Sequence, residues 1–173
     1  MAAHEYQFFT EWRVSAEPDL IFEILREGKD YPRWWPDVYL DSNFTPSGRS
    51  DHLGDRVELL TKGWLPYRLR WTAEVAHLVP SETIEITASG DFTGRGIWNL
   101  SRSATETVVT FDWRIRADKP FLRWFSPVFK PLFSWNHRWA MATGLPRLRA
   151  EVVRRTSVLA AHSTILTGRE SPV

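Results

Sequence analysis

Alternating apolar and polar residues dominate the chain from Val38 to Arg116 and set the strongest limit on its fold. Segments rich in Gly, Pro or Ser divide this region into six predicted strands, at residues 39–45, 55–62, 67–77, 82–90, 95–102 and 107–116. Strands so close in sequence pair with their neighbours, so the pattern predicts an antiparallel meander. One face is apolar and the other charged, which indicates a sheet covered on one side only.

A further strand and two short helical segments precede the meander. Residues 6–14 alternate and predict a first strand. Apolar residues then recur at helical spacing from Leu20 to Leu25, and Gly28 ends the pattern. The two prolines within residues 30–36 leave room for only one more helical turn.

After the meander the helical period returns, from about Ser126 to Thr156. At 1.5 Å per residue this helix would be roughly 45 Å long, and Pro131 and Pro146 are expected to bend it. One apolar sheet face and one long helix together predict a two-layer α+β domain, in which the helix covers a concave sheet.

Aromatic side chains are unusually numerous, with ten Trp, ten Phe and four Tyr. Each such ring buries about 150–250 Å², so the set exceeds the needs of a modest core. On the predicted elements the rings gather on the concave sheet face, on the facing helix and at residues 34–35, where a cavity mouth would lie. Either they fill the core completely, or, as we favour, they leave space for a ligand. The expected ligand-binding residues are Trp34, Trp35, Leu59, Leu69, Trp71, Ile86, Trp98, Phe111, Trp113, Phe133, His137 and Met141.

Five segments occur in an order that is typical of one superfamily. They are residues 16–22 (AEPDLIF), 31–36 (YPRWWP), 90–98 (GDFTGRGIW), 107–113 (TVVTFDW) and 133–144 (FSWNHRWAMATG). With them the chain resembles, over about residues 5–155, the START-like SRPBCC superfamily on its polyketide cyclase/dehydrase-like branch. The resemblance implies a helix-grip fold, with about seven curved antiparallel strands around a long C-terminal helix and two short helices after the first strand. It also implies a deep apolar cavity for a lipid-, quinone-, polyketide- or aromatic-like molecule.

His137 is the candidate catalytic residue. On a helix it lies four residues from both Phe133 and Met141, so it shares their face. A His that titrates near neutral pH can act as general acid or base on a bound ligand. The alternative is a structural core His bonded to the backbone or to a neighbour such as Asp112. The adjacent Asn136 points about 100° away, so we do not expect both side chains to reach one ligand atom.

Several other chemistries are excluded by what the sequence lacks. Without Cys the chain has no disulfide, thiolate nucleophile or Cys-ligated zinc. Its five His lack metal-ligand spacing and its serines lack a nucleophile-elbow context. The glycines of residues 90–96 join two strands and open no helix that could hold phosphate. We therefore expect neither a metal nor a cofactor.

Charge is unevenly distributed, although the net charge is only +1. Residues 1–116 carry a balance of −5 and residues 117–173 a balance of +6. The basic residues of the last helix either form a solvated face, which we favour, or contact an anionic membrane or a partner protein. No nucleic-acid binding is expected. The aromatic residues interleaved with these basic residues are Trp124, Phe125, Trp135 and Trp139.

Three hypotheses for function follow. The leading one is a carrier or accessory factor that binds a hydrophobic small molecule between sheet and helix. The alternatives are a polyketide cyclase/dehydratase-type lyase that uses His137, and an interaction module that works through the basic aromatic helix. We further expect one domain over residues 1–160, a flexible tail over residues 161–173, and a monomer or homodimer. A cytoplasmic location is expected because no signal peptide or long apolar run is present.

Overall fold

Seven strands of the described chain pair into one antiparallel sheet. The computed structural model describes residues 5–64, 66–116 and 126–167, and in the last helix the side chains of residues 131 and 133–161. The strands are β1 (Glu5–Val14), β2 (Tyr39–Thr45), β3 (Arg56–Lys62), β4 (Arg68–Val79), β5 (Thr83–Gly90), β6 (Thr93–Ser103) and β7 (Glu106–Arg116). Their order across the sheet is β1-β7-β6-β5-β4-β3-β2, so the predicted meander is confirmed and β1 pairs with β7.

The edges of the sheet are β1 and β2, and the chain crosses from one edge to the other through short helices. α1 (Pro18–Arg26) is followed by a 3-10 turn (Gly28–Asp30) and by α2 (Tyr31–Trp34). α1 begins at a Pro, whose fixed φ suits a first helical turn, and it buries Ile21 and Ile24. These elements are the two short helices expected after the first strand.

Strand alternation decides which side chains face the core. In β7, Phe111 and Trp113 are buried while Arg114 is exposed. Trp98 and Leu100 of β6 also face inward, as expected for that strand. The buried face is covered by α3 (Ser126–Thr167). This α+β arrangement, a curved sheet wrapped around a long C-terminal helix, is the predicted helix-grip fold.

Helix α3 extends beyond the residues 126–156 that apolar spacing predicts. Its buried stripe towards the core includes Met141, Leu148 and Val152. The segment expected to be a flexible tail, residues 161–173, is helical up to Thr167, and its remainder lies outside the described residues.

A buried carboxylate ties α3 to the segment that contains α1 and α2. Glu151 is only 3% exposed. It accepts five hydrogen bonds, at 2.8–2.9 Å, from Arg33, Arg154 and Arg155. Arg155 donates in addition to Glu27 at 2.6 Å. Burial by itself raises the pKa of Glu151, but the hydrogen bonds from the three guanidinium groups outweigh it and hold that pKa far below its usual range.

Candidate functional site

A cavity of about 210 Å³ lies between the concave sheet face and α3. This is far above the roughly 10–15 Å³ that one buried water needs, so the rings do not fill the core completely. The predicted ligand-binding residues that line it are Trp35, Leu59, Leu69, Trp71, Ile86, Trp98, Phe111, Trp113, Phe133, His137 and Met141. Lining residues outside that prediction include Tyr6, Phe8, Thr61, Tyr67, Phe92, Asn136 and Ala140. That these residues bind a ligand stays a prediction.

Trp34 does not line the cavity, and the prediction placed it wrongly. Consecutive residues on a helical turn point about 100° apart, so Trp34 and Trp35 cannot share one direction. Trp35 faces the cavity and is 2% exposed, well inside the protein and not at a mouth. Trp34 is buried behind it, stacked on Trp35 at 5.4 Å between ring centroids and edge-on to Tyr31 at 5.3 Å.

One wall of the cavity is a row of stacked rings on β6 and β7. Trp98 and Phe111 stack with centroids 4.0 Å apart, and Phe111 and Trp113 stack at 5.4 Å. Gly96 makes this row feasible, because a Cβ at that position would lie 2.7 Å from Cε3 of Trp113 and 3.0 Å from Cε2 of Phe111. Flat aromatic faces of this kind suit an apolar or aromatic ligand.

Several polar lining groups lie near the N-terminal part of β1 and the β3–β4 connection. The Thr61 hydroxyl is satisfied, since it accepts from Nε1 of Trp71 at 3.2 Å and donates to the Leu69 carbonyl at 3.3 Å. The hydroxyls of Tyr6 and Tyr67 are buried, and neither has a hydrogen-bond partner in the part of the chain that the structure describes.

His137 lies in this region, where its ring stacks on Phe8 with centroids 4.5 Å apart. Its Nε2 is 3.4 Å from Oγ1 of Thr10. Burial lowers the pKa of His137 to about 4, so the ring is neutral at pH 7. This pKa is lower than the near-neutral value that suits a general acid or base, and a catalytic role for His137 stays a prediction. Asp112 is not its neighbour either, because alternation places that carboxylate outside the sheet, 2.7 Å from Arg114.

This buried imidazole predicts a pH-dependent stability. The folded-state pKa of His137 lies below the ordinary value of about 6.5, so the unfolded chain takes up the proton first as the pH falls. We expect His137 to make the free energy of unfolding drop by about 2–3 kcal/mol between pH 6.5 and pH 4. Urea titrations across this range should show the drop in the wild type and a flatter profile in His137→Phe. An equally steep profile in the variant would contradict the assignment.

Asn136 lines the cavity beside His137 but turns towards the β3–β4 connection. Its Oδ1 accepts a hydrogen bond from the backbone N–H of Trp64 at 2.8 Å. A Cβ on Gly63 would collide with the Asn136 amide, so this approach of chain to helix requires Gly. The ring of Trp64 packs edge-on against Trp135 of α3 at 4.3 Å. These contacts attach the β3–β4 connection to α3 where both border the cavity.

Most basic residues described on α3 contact the protein itself, which leaves less of a free cationic face than the sequence suggests. Arg147 pairs with Asp37 at 2.7 Å, and Arg149 donates to the backbone carbonyl of Arg13 at 2.8 Å. The predicted basic aromatic surface is described only in part: Trp135 and Arg138 are exposed, whereas Arg123, Trp124, Phe125 and the side chain of Lys130 lie outside the described residues. Contact with a membrane or partner through this surface stays a prediction. None of the described helices has the length and apolar composition needed to cross a membrane.

Comparison with known proteins agrees with this fold. A family model described as polyketide cyclase / dehydrase and lipid transport matches residues 14–139. The chain therefore belongs to this family, which confirms the resemblance to the START-like superfamily. A sequence comparison with curated proteins gives no significant match.

Solved structures with the same fold are distant in sequence. The Zhui aromatase/cyclase from Streptomyces sp. R1128 has a TM-score of 0.69 at 17% identity, over 88% of this chain and 96% of that chain. A START superfamily protein from Mycobacterium smegmatis has a TM-score of 0.67 at 15% identity, over 87% and 98%. Norcoclaurine synthase from Thalictrum flavum has a TM-score of 0.59 at 13% identity, over 88% and 96%. Identities this low show the shared fold alone.

Proposed function

We propose that this protein binds a hydrophobic, ring-containing small molecule in the cavity, as a carrier or as an accessory factor for an enzyme. The observation that carries the proposal is the cavity itself: a space of about 210 Å³ between sheet and helix that is lined mainly by aromatic and aliphatic side chains. The family description, which joins cyclases, dehydrases and lipid transport, supports the same kind of ligand.

The lining also explains why binding is favoured over catalysis. His137 is neutral at pH 7, with a pKa of about 4. A general base is most effective when its pKa lies near the working pH, so His137 is a weak one. Among the described lining residues, charge is confined to Arg26 and Lys62, and Arg26 is paired with Glu23 at 2.6 Å. The cavity thus offers flat apolar contact and little that drives a reaction.

Filling the cavity should weaken binding without unfolding the protein. Ala140 lines the cavity on α3, whereas Ala142 on the same helix is exposed. We expect Ala140→Phe to weaken binding of naphthalene-like or polyketide-like probes at least about tenfold, since the new ring occupies the ligand's space. Ala142→Phe adds the same ring outside and should bind as the wild type does.

Dissociation constants from Trp fluorescence titration, with thermal unfolding of both variants, provide the test. Native mass spectrometry of freshly purified protein, followed by solvent extraction, would identify any ligand retained from the cell. If the wild type carries no bound mass and responds to no lipid, quinone or polyketide probe, the proposed function fails.

A second candidate, proton transfer on a bound polyketide, is favoured by the location of His137 inside the cavity. As a cyclase or dehydratase the protein would use this imidazole to remove or deliver a proton during ring closure or loss of water. His137→Phe should then abolish turnover of a poly-β-ketone probe and leave its binding largely intact. Unchanged turnover would remove His137 from the mechanism.

A further inference from the structure

The hydroxyls of Tyr6 and Tyr67, which have no partner among the described residues, are the least expected feature of the cavity. Tyr6 lies on β1 and is 6% exposed, and Tyr67 lies directly before β4. The hydroxyl of each is buried, both residues line the cavity, and neither hydroxyl has a partner among the described residues. A buried hydroxyl without a hydrogen bond destabilises a fold, so natural proteins rarely retain one unless something else satisfies it.

The phenols are held in place and are available as donors. The ring of Tyr6 stacks on Phe8 with centroids 6.3 Å apart and meets Phe133 edge-on at 5.3 Å. Burial, with a smaller contribution from the neighbouring Tyr6, raises the pKa of Tyr67 to about 12, so its O–H remains protonated at pH 7. Tyr6 packs against Phe133, and the β3–β4 connection that carries Tyr67 is bonded to Asn136 three residues further along α3, so both phenols lie at the same end of the cavity.

The surroundings limit which ligand group the Tyr6 and Tyr67 hydroxyls can bind. The Thr61 hydroxyl already donates its hydrogen to the Leu69 carbonyl, so it does not compete for a ligand oxygen. No described lining residue brings a buried positive charge, because Lys62 is exposed and Arg26 is paired with Glu23. A carboxylate or phosphate would lose its hydration there without gaining a counter-charge. An uncharged oxygen that only accepts hydrogen bonds meets no such penalty.

We propose that Tyr6 and Tyr67 bind a ketone or quinone oxygen of the ligand, whose apolar rings lie against the wall formed by Trp98, Phe111 and Trp113. This inference rests on the proposed function, since it names the chemical group by which the same cavity recognises its ligand. It predicts selectivity for ring systems that carry a carbonyl over hydrocarbons of the same shape.

Two matched probes test the inference. 2-Acetylnaphthalene and 2-isopropenylnaphthalene have nearly the same shape and differ by a carbonyl oxygen in place of a methylene group. We expect the double variant Tyr6→Phe/Tyr67→Phe to bind the ketone about tenfold or more weakly than the wild type, as the loss of two hydrogen bonds requires. The hydrocarbon, measured in the same way by isothermal titration calorimetry, should keep its affinity.

The outcomes separate the two proposals. If both probes bind the wild type and the double variant weakens them equally or not at all, the cavity binds ligands but the carbonyl assignment is overturned. If neither probe binds the wild type, the proposed function and the assignment fail together.

A ligand-free measurement provides an independent check. Tyr31 is the matched comparison, because its buried hydroxyl donates to the Leu25 carbonyl at 2.6 Å. Tyr31→Phe should lower the Tm by roughly 2–8 °C. Tyr6→Phe should leave the Tm unchanged or raise it, because removing the Tyr6 hydroxyl breaks no hydrogen bond to the described residues. A similar drop in both variants would show that the Tyr6 hydroxyl has a protein partner, and the inference would be wrong.

Discussion

Replacing Glu151 by Gln is expected to lower the free energy of unfolding by about 3–5 kcal/mol, the usual cost of removing one partner from a buried ion network. The variant keeps the shape of the side chain but removes the negative charge that Arg33, Arg154 and Arg155 share. Three guanidinium groups would then face one another around a neutral amide, and the attachment of α3 to α2 would weaken. The midpoint of urea unfolding at pH 7 measures the loss.

Glu74 provides the matched control for this substitution. It pairs with Arg56 at 2.7 Å on the solvent side of the sheet, with both side chains well exposed. Glu74→Gln should therefore change the free energy of unfolding by less than about 1 kcal/mol. The depressed pKa of Glu151 adds a second test: its stabilising effect is complete above the ordinary Glu pKa of about 4.3 and declines as the pH falls below it. Wild type and Glu151→Gln should therefore approach each other in stability at acidic pH.

Trp35→Ala is expected to lower the free energy of unfolding by about 3–5 kcal/mol, the range typical of a large aromatic side chain removed from a core. Trp35 packs against Trp12 at 5.7 Å between centroids and donates from Nε1 to Oγ1 of Thr143 on α3. The exposed Trp64 is the control, and Trp64→Ala should cost far less than Trp35→Ala. Comparable losses in urea unfolding would contradict the central position that the structure gives Trp35.

Gly144 of α3 lies against the indole of Trp35 and provides a second test of how Trp35 packs on this helix. A Cβ at position 144 would collide with the indole of Trp35, so we expect Gly144→Ala to destabilise the wild type although Ala is the better helix former. In the Trp35→Ala background the collision disappears, and the substitution should become neutral or stabilising by up to about 1 kcal/mol. A double-mutant cycle measures the effect of Gly144→Ala on the free energy of unfolding in both backgrounds. If Gly144 and Trp35 are in direct contact, the sign of this effect should reverse.

The strands could be predicted from sequence because alternation and turn residues are local signals. Residues 39–45 are predicted and found without change, and the other strand bounds differ by at most two residues. The face of each strand follows from the same alternation, which is why Trp98, Phe111 and Trp113 were placed correctly in the cavity. The end of α3 is harder to predict, since most of residues 160–167 are small or polar.

Apart from the placement of Trp34, the errors and omissions at the site come from contacts that no local pattern encodes. Phe92 lines the cavity from the two-residue link between β5 and β6, where strand alternation assigns no face. The pKa of His137 depends on how deeply α3 and β1 bury it, and the five hydrogen bonds of Glu151 include a partner 118 residues away. Tyr6 follows the strand pattern, but only the assembled cavity shows that its hydroxyl has no partner among the residues that the structure describes.

The position of β1 at the edge next to β7 has a consequence for how the chain reaches this fold. Glu5 pairs with Arg116, so among the described strands the first in sequence, β1, is hydrogen-bonded to the last, β7. At a synthesis rate of about 5–20 residues per second, the apolar face of β1 waits roughly 5–20 s for its partner. Pairing of strands this far apart in sequence favours slow folding, because a long loop has to close. Until it closes, β1 presents an unpaired strand edge. Chaperone demand during synthesis should therefore fall on the N-terminal strand, far in sequence from the helix that completes the cavity.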